Sequence, residues 1–313
     1  MKTISLHIHS FSLRYHFRLP ECVAGGFDVF RYMRDMAAAG FTGVNISANG
    51  PGYRDLCGTS EAHFAEVNAA RAELGLKLEL DTSDTAPENM SRMLAVTQAC
   101  GGDTLRTYTK YNGPIGELIA RTIADLKEIA PQAEDRGVTI VLENHEDFQG
   151  REIAAILAAV DHPRIRALYD YGNSQMVGED PFDALDAMAP YIHCCHIKDH
   201  VMARTPEGDI VVQGVAMGDG TLPILELTDR LYVNGLRRFC FENVWSYVAP
   251  LKCAAANLPG TPCFEMFGPD RHVVGDRLEP LAAVAGERDA HTRGLAWFKA
   301  MLTAGGYRVV RET

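Results

Sequence analysis

Apolar residues along this chain recur in two rhythms that alternate from one end to the other. Short β-branched and aliphatic runs of period two give way to stretches with apolar positions three and four apart. The first run is TISLHIH at 3–9, followed by the helical pattern FDVFRYMRDMAAAG at 27–40, with Asp28 as N-cap and Gly40 as stop. Strand-like FTGVNIS (41–47) precedes a helix from Thr59 to Gly75, capped by Thr59 or Ser60. LKLELDT (76–82) precedes a helix that opens at Pro87 and ends at Cys100-Gly101-Gly102. DTLRTYT (103–109) leads to the long pattern GELIARTIADLKEIAPQAEDRG (116–137), in which Pro131 predicts a kink or a restart. VTIVLEN (138–144), RIRALYD (164–170), YIHCCHIKD (191–199) and RRFCFEN (237–243) complete the strands. Their helices are predicted at 151–160, 181–189, 223–235 and 287–304.

Eight strands, each followed by a helix, predict an α/β fold, a (β/α)8 TIM barrel, with residues 1–313 forming a single domain. Two departures from the rhythm stand out. GDIVVQGVAMGDG (208–220) reads as a small hairpin inserted before the seventh helix. Residues 243–278 form a Pro- and Gly-rich connection after strand eight, far above usual loop length; its Trp245, Tyr247, Phe264, Met266 and Phe267 point to a lid or an interface arm and not a solvated tail.

In such a barrel, reactive groups sit at the C-terminal ends of the strands. Strands five to eight end in Glu143, Asp170, His196 and Glu242, which closure brings to one side of the mouth. Three carboxylates at one point repel one another unless a cation lies between them. An oxygen-rich set predicts one divalent ion, Mn²⁺ or Mg²⁺ first and Co²⁺ or Zn²⁺ next. Taken singly, each acid reads as well as a helix cap or surface ion pair.

Composition narrows the partners. A net charge of −11 argues against a nucleic-acid backbone as ligand, because such binders need a basic footprint. The opening MKTISLHIHS enters a strand directly, without a leader-like apolar region, and no apolar run approaches the roughly 18 residues of a membrane span. The expectation is a cytoplasmic protein that binds no membrane. Eight cysteines without a CxxC pair read as reduced thiols, mostly buried, with Cys253 and Cys263 less certain in their loop.

The segments LENHE, YDYGNSQMVGEDP, HCCHIKDH, MGDGTLP and FEN, in this order and spacing, resemble the xylose isomerase-like barrels, the sugar-phosphate isomerase/epimerase and endonuclease IV-like superfamily. The resemblance covers most of the chain. It implies that Glu143, Asp170, His196 and Glu242 are the metal ligands, that Glu143 and Glu242 exchange the proton as base and acid, and that Asn173 lines the mouth. Cys194 stands where many members carry another histidine. Relatives commonly form dimers or tetramers, so a homo-oligomer fits, and some carbon-glycoside-cleaving relatives work with a small partner chain.

Further candidates come from the residues themselves. His145 is a second acid or base, or a hydrogen bonder behind the site. Lys198 either neutralises an oxyanion or pairs with an acid. His9 is a pocket residue, and the cluster of His16, Arg14 and Arg18 either binds a substrate carboxylate or phosphate or forms a solvated face. Asp81 and Arg106 meet substrate hydroxyls or form a structural pair.

The implied activity is a metal-dependent isomerase or epimerase that enolises a small keto-sugar or keto-acid. A lyase ejecting water, carbon dioxide or an aglycone shares the first step; the His-x-Lys-Asp segment and His145 lean towards it. A DNA-repair phosphodiesterase lacks enough histidines and positive charge here. A non-catalytic sugar-binding barrel would follow if the ligands did not converge.

Overall fold

The computed structural model describes residues 1–50 and 52–312. The barrel strands are Lys2–His9, Gly43–Ser47, Lys77–Asp81, Thr104–Thr107, Thr139–Glu143, Ile165–Asp170, Ile192–Ile197 and Arg238–Phe241. Each pairs in parallel with the next, and the eighth closes onto the first from Ser5↔Arg238 to Ile8↔Phe241. A short strand, Tyr307–Val309, extends the sheet beside Lys2–Ile4.

Alternation along these strands separates two environments. Leu6, Ile8, Val44, Ile46, Leu78, Leu80, Ile140, Leu142, Phe239 and Phe241 join one buried apolar cluster with helix residues such as Tyr32, Met33, Leu126, Ile156 and Phe298. The alternate positions are largely polar, so the barrel interior is held by ion pairs more than by stacked aliphatic layers. At its N-terminal end His7 Nδ1 lies 3.1 Å from Glu79 Oε1, and Arg238 reaches Glu79 at 3.1 Å, Asp103 at 2.8 Å and Glu312 at 2.6 Å. Above these, Val141, Leu168 and Cys194 form a small apolar layer. Cys194 is thus packed below the mouth.

Several expectations are adjusted. The inserted hairpin pairs His200–Arg204 with Ile210–Gly214, so its first arm precedes the predicted segment; His200, Val201, Met202 and Ala203 are buried, which stabilises an arm with no turn signal before it. The connection after strand eight is not structureless. Val248–Pro250 and Met266–Phe267 flank that hairpin and make a four-stranded sheet. The helix Ile115–Asp135 continues through Pro131, and the last helix begins at Pro280, where the missing N–H costs nothing. Asp28 and Ser60 do cap their helices, accepting from Arg31 N and His63 N. All eight cysteines are free; Cys57 is exposed and Cys263 is buried. Among the described residues no helix is long and apolar enough to cross a membrane.

Candidate active site

The site is assembled from the ends of strands five to eight. Asn144, just after strand five, clamps the end of strand six: its Oδ1 accepts from Asp170 N at 2.7 Å and its Nδ2 donates to Asp170 O at 3.2 Å. The turn that follows then orients the Asp170 carboxylate. Gly172 N and Asn173 N donate to Oδ1 at 2.9 and 3.0 Å, which leaves Oδ2 facing the barrel axis. His196 is steadied from strand two, where Asn45 Nδ2 lies 3.3 Å from its Nε2. Its Nδ1 faces Glu143 Oε1 at 3.2 Å.

Glu143, Asp170 and His196 each bring one potential ligand atom within 4.8 Å of the others, and all three are buried. Among the described residues Glu143 Oε1, Asp170 Oδ2 and His196 Nδ1 have no hydrogen-bond partner. Buried polar atoms are rarely left so, and two carboxylate oxygens with an imidazole nitrogen suit a divalent cation. This group could bind a metal. Glu242 lies apart from the three: Oε1 is 3.1 Å from His9 Nδ1, and Oε2 is 3.8 Å from Lys198 Nζ.

Cations interleave with these acids. Lys198 Nζ is 3.0 Å from Asp170 Oδ2, near enough for an ion pair though not aligned as a hydrogen bond, and it donates to Asn173 Oδ1 at 2.8 Å. Arg106 donates to Asp81 Oδ2 at 3.0 Å and also to Glu143 Oε2, so Asp81 and Arg106 are paired with each other. His9 sits between Asp81 Oδ2, at 3.2 Å, and Glu242. Burial pulls His9 down, but the hydrogen bonds it donates to the Asp81 and Glu242 carboxylates outweigh it and lift the pKa to about 10. The Phe11 amide also approaches Nδ1 at 3.1 Å, a contact that suits the neutral ring; two flanking carboxylates favour the charged one. Burial likewise pushes Asp170 up to about 6, with Lys198 opposing and Glu143 and Glu242 adding to it. Glu143 and Glu242 lie below the usual carboxylate range, burial being overcome chiefly by Arg106 for the first and Lys198 for the second.

These groups open into a cavity of about 300 Å³ whose walls include His9, Asp81, Arg106, His145, Asn173, Lys198 and Glu242. His145 lies beyond the end of its strand and stacks on Tyr108, ring centroids 3.8 Å apart. Burial drops its pKa to about 4, so it stands there as a neutral imidazole. Tyr247, from the connection after strand eight, donates to Glu146 and closes one wall. Asn45 and Tyr108 carry no sequence signal of their own, Asn45 lying mid-strand and meeting His196 only across the closed barrel, and Tyr247 is legible only as one aromatic of the long connection. A larger cavity of about 730 Å³ lies at the other end of the barrel, lined by Thr3, His193 and Arg238 among others, and contains none of the four strand-end residues. Chemistry, not volume, selects between the two.

Residues 33–256 match the family model described as xylose isomerase-like TIM barrel. An uncharacterized protein of Escherichia coli strain K12, YihM, is 23% identical over 254 residues, 79% of this chain and 76% of the relative. A 3-oxo-isoapionate decarboxylase of Pectobacterium atrosepticum is 27% identical over 173 residues, 54% of this chain and 62% of that enzyme. Among solved structures, a D-psicose 3-epimerase of Clostridium cellulolyticum H10 with D-tagatose superposes with a TM-score of 0.65 at 14% identity. It covers 96% of this chain and 99% of that one. At that identity the likeness concerns the fold.

Proposed function

The chain belongs to the xylose isomerase-like TIM barrel family, and we propose that it is an enzyme that enolises a small keto-sugar or keto-acid, as an isomerase or epimerase. The meeting of Glu143, Asp170 and His196 just behind the wall that Arg106, Lys198 and Glu242 give the 300 Å³ cavity, each with a buried atom that has no hydrogen-bond partner among the described residues, supports this most directly. These three would hold a divalent ion, Mn²⁺ or Mg²⁺ before Co²⁺ or Zn²⁺, with Glu242 the fourth candidate ligand. Such an ion supplies Lewis-acid polarisation of a carbonyl oxygen.

The chain's own residues do the rest. Glu242 and Glu143 are the candidates to take a proton from the carbon beside the carbonyl and to return one. Lys198, held as an ammonium by Asp170 and Glu242 although burial opposes it, is placed to stabilise the oxyanion that results. Arg106, His9, Asp81 and Asn173 would orient hydroxyl groups. Neutral His145 is placed to accept a hydrogen bond from a hydroxyl in the cavity.

A lyase outcome is the second reading. It is favoured by Lys198, a buried donor beside the acids, and by the likeness to a decarboxylase. Proton NMR in D₂O, with Mn²⁺- or Mg²⁺-loaded protein and a panel of ketoses, 3-keto glycosides and branched keto-acids, separates the two. Deuterium entering beside the carbonyl with the carbon skeleton and all oxygens retained supports the isomerase or epimerase. Loss of water, carbon dioxide or an aglycone supports the lyase. If no compound in the panel exchanges or breaks down, the enolisation reading fails for these substrate classes.

A further inference from the structure

The cavity is electrically lopsided. Glu242 and Asp81 line its reaction end, interleaved with Lys198 and Arg106, whereas the segments after strands one, two and four add Arg18, Arg54 and Lys110 to the rest of its lining, with Glu146 the one acid among them. In a chain of net charge −11, a concentration of cations at a cavity mouth calls for a reason.

The partners of these cations are informative. Arg14, four residues before Arg18, is buried and committed to structure: its Nη2 donates to Trp245 O at 2.8 Å and to Ser246 Oγ at 3.0 Å, fastening the connection after strand eight. Arg18 has no carboxylate partner among the described residues and stands near the face of Phe11, 5.9 Å from the ring centroid. Its pKa is lowered, first by partial burial and then by repulsion from Arg54 and Arg14. Arg54 spends only its Nε, on Asp55 Oδ1 at 2.7 Å; Asp55 is itself held from behind by Ser10 Oγ at 2.7 Å. Among the described residues the terminal nitrogens of Arg54 have no hydrogen-bond partner. Lys110 Nζ approaches Ser83 Oγ at 3.4 Å. Asp55 and Asp276 offset this repulsion only in part, since Asp55 is bound to Arg54 and neither is paired with Arg18; like charges so incompletely countered lose stability, and a ligand that supplies further negative charge regains it.

We infer that Arg18 and Arg54, together with Lys110, form a subsite for a terminal oxyanion, so that the substrate is an acidic sugar whose carboxylate or phosphate ester lies at the end remote from the carbon being enolised. This rests on the cavity being the substrate site. Two guanidinium forks suit either planar or tetrahedral oxyanions, and the neighbouring Asn49 and Ser83 offer hydrogen bonds to hydroxyls between the two ends. An anion fixed there would turn the other end of a short chain toward Lys198 and the acid cluster. The arrangement selects orientation as well as charge.

Matched probes test it without turnover. D-gluconate, D-glucitol 1-phosphate and neutral D-glucitol differ only in the group at C1, and their binding is measured by calorimetry on the whole protein, both Mn²⁺-loaded and stripped with EDTA. At least one anion should bind about tenfold tighter than D-glucitol. The preference should survive EDTA, weaken with added salt, fall to within about twofold in Arg18→Gln and Arg54→Gln, and be partly kept in Arg18→Lys. The better of the two anions identifies the group. Equal binding of all three probes, no binding of either anion, or a preference unchanged in both glutamine variants overturns the subsite. A preference that vanishes on metal removal does so too, because the anion would then be sitting at the acid cluster. Deuterium exchange without an anion preference would remove the subsite and leave the enolisation reading standing. An anion preference without exchange would do the reverse.

Discussion

Arg106 reaches from strand four to donate to Glu143 on strand five, and in doing so occupies one of the two oxygens that carboxylate could offer a cation. The other, Oε1, is the unpartnered one that faces His196. Arg106 is therefore both a structural counter-charge for Asp81 and Glu143 and a device that turns the free oxygen toward the site. Its removal strands two buried carboxylates. Arg106→Gln should lower the unfolding free energy by about 3–5 kcal/mol, and added Mn²⁺ should recover more of that loss than it adds to the unsubstituted protein. Urea unfolding with and without Mn²⁺ measures both; equal metal stabilisation in the two proteins would separate Arg106 from the metal site.

The offset of Glu242 from the other three strand-end groups has its own consequence. Asp170→Asn should weaken Mn²⁺ binding by at least about tenfold, since it takes one of the three unpartnered ligand atoms out of the charged set. Glu242→Gln should weaken it less, because Glu242 lies outside the group of three and turns one oxygen to His9, yet should abolish turnover. Calorimetric titration with Mn²⁺ on both variants, alongside deuterium exchange, checks the split. If the two variants lose Mn²⁺ to the same extent, Glu242 is an equal ligand.

The eight-fold rhythm and the four strand-end residues were legible because both are local: period-two runs, caps such as Asp28, and acids placed where strands stop. Pairings across the barrel were not. That Arg106 bridges Asp81 and Glu143 depends on three strands lying side by side, and nothing in 104–107 states it. Arg14 and Arg18 read alike in the chain, one helical turn apart, and only the course of residues 245–246 assigns the first to structure and leaves the second free. The hairpin arm 200–204 escaped notice because it follows strand seven with no turn residue between them; the four backbone amides that bind Asp199, from His200, Gly218, Gly220 and Leu222, fix that corner instead.

The polar interior makes small residues matter in places where aliphatic barrels would tolerate change. Gly43 on strand two lies against the His7 ring, and a Cβ there would meet Nε2 at 2.4 Å. His7 cannot swing away without giving up Glu79. Gly43→Ala is thus an overpacking change in a site of low compliance, with an expected cost of about 1–3 kcal/mol by chemical denaturation. The companion change Gly116→Ala, where no atom lies within 4 Å of the added carbon, should be neutral or stabilising. Equal effects of the two would argue against a closely packed His7.

Glu79 couples the same end of the barrel to pH. Burial opposes its ionisation, but His7 and Arg238 hold its pKa down at about 2, against an ordinary 4.5. A depressed carboxylate adds stability above its unfolded value and loses it as pH falls, so its contribution is complete above about 4.5 and fades towards about 2. That interval corresponds to roughly 3 kcal/mol for a group with no solvent screening. His7, raised by Glu79 and Glu312 despite burial, works in the opposite sense: its contribution is present below 6.5 and declines as pH climbs through its higher folded value. Between about pH 4.5 and 6.5 both are in place. Urea unfolding of the unsubstituted protein should therefore weaken more steeply than that of Glu79→Gln between about pH 5 and pH 3. Parallel pH profiles for the two proteins would mean that the Glu79 carboxylate is not held by His7 and Arg238 in solution.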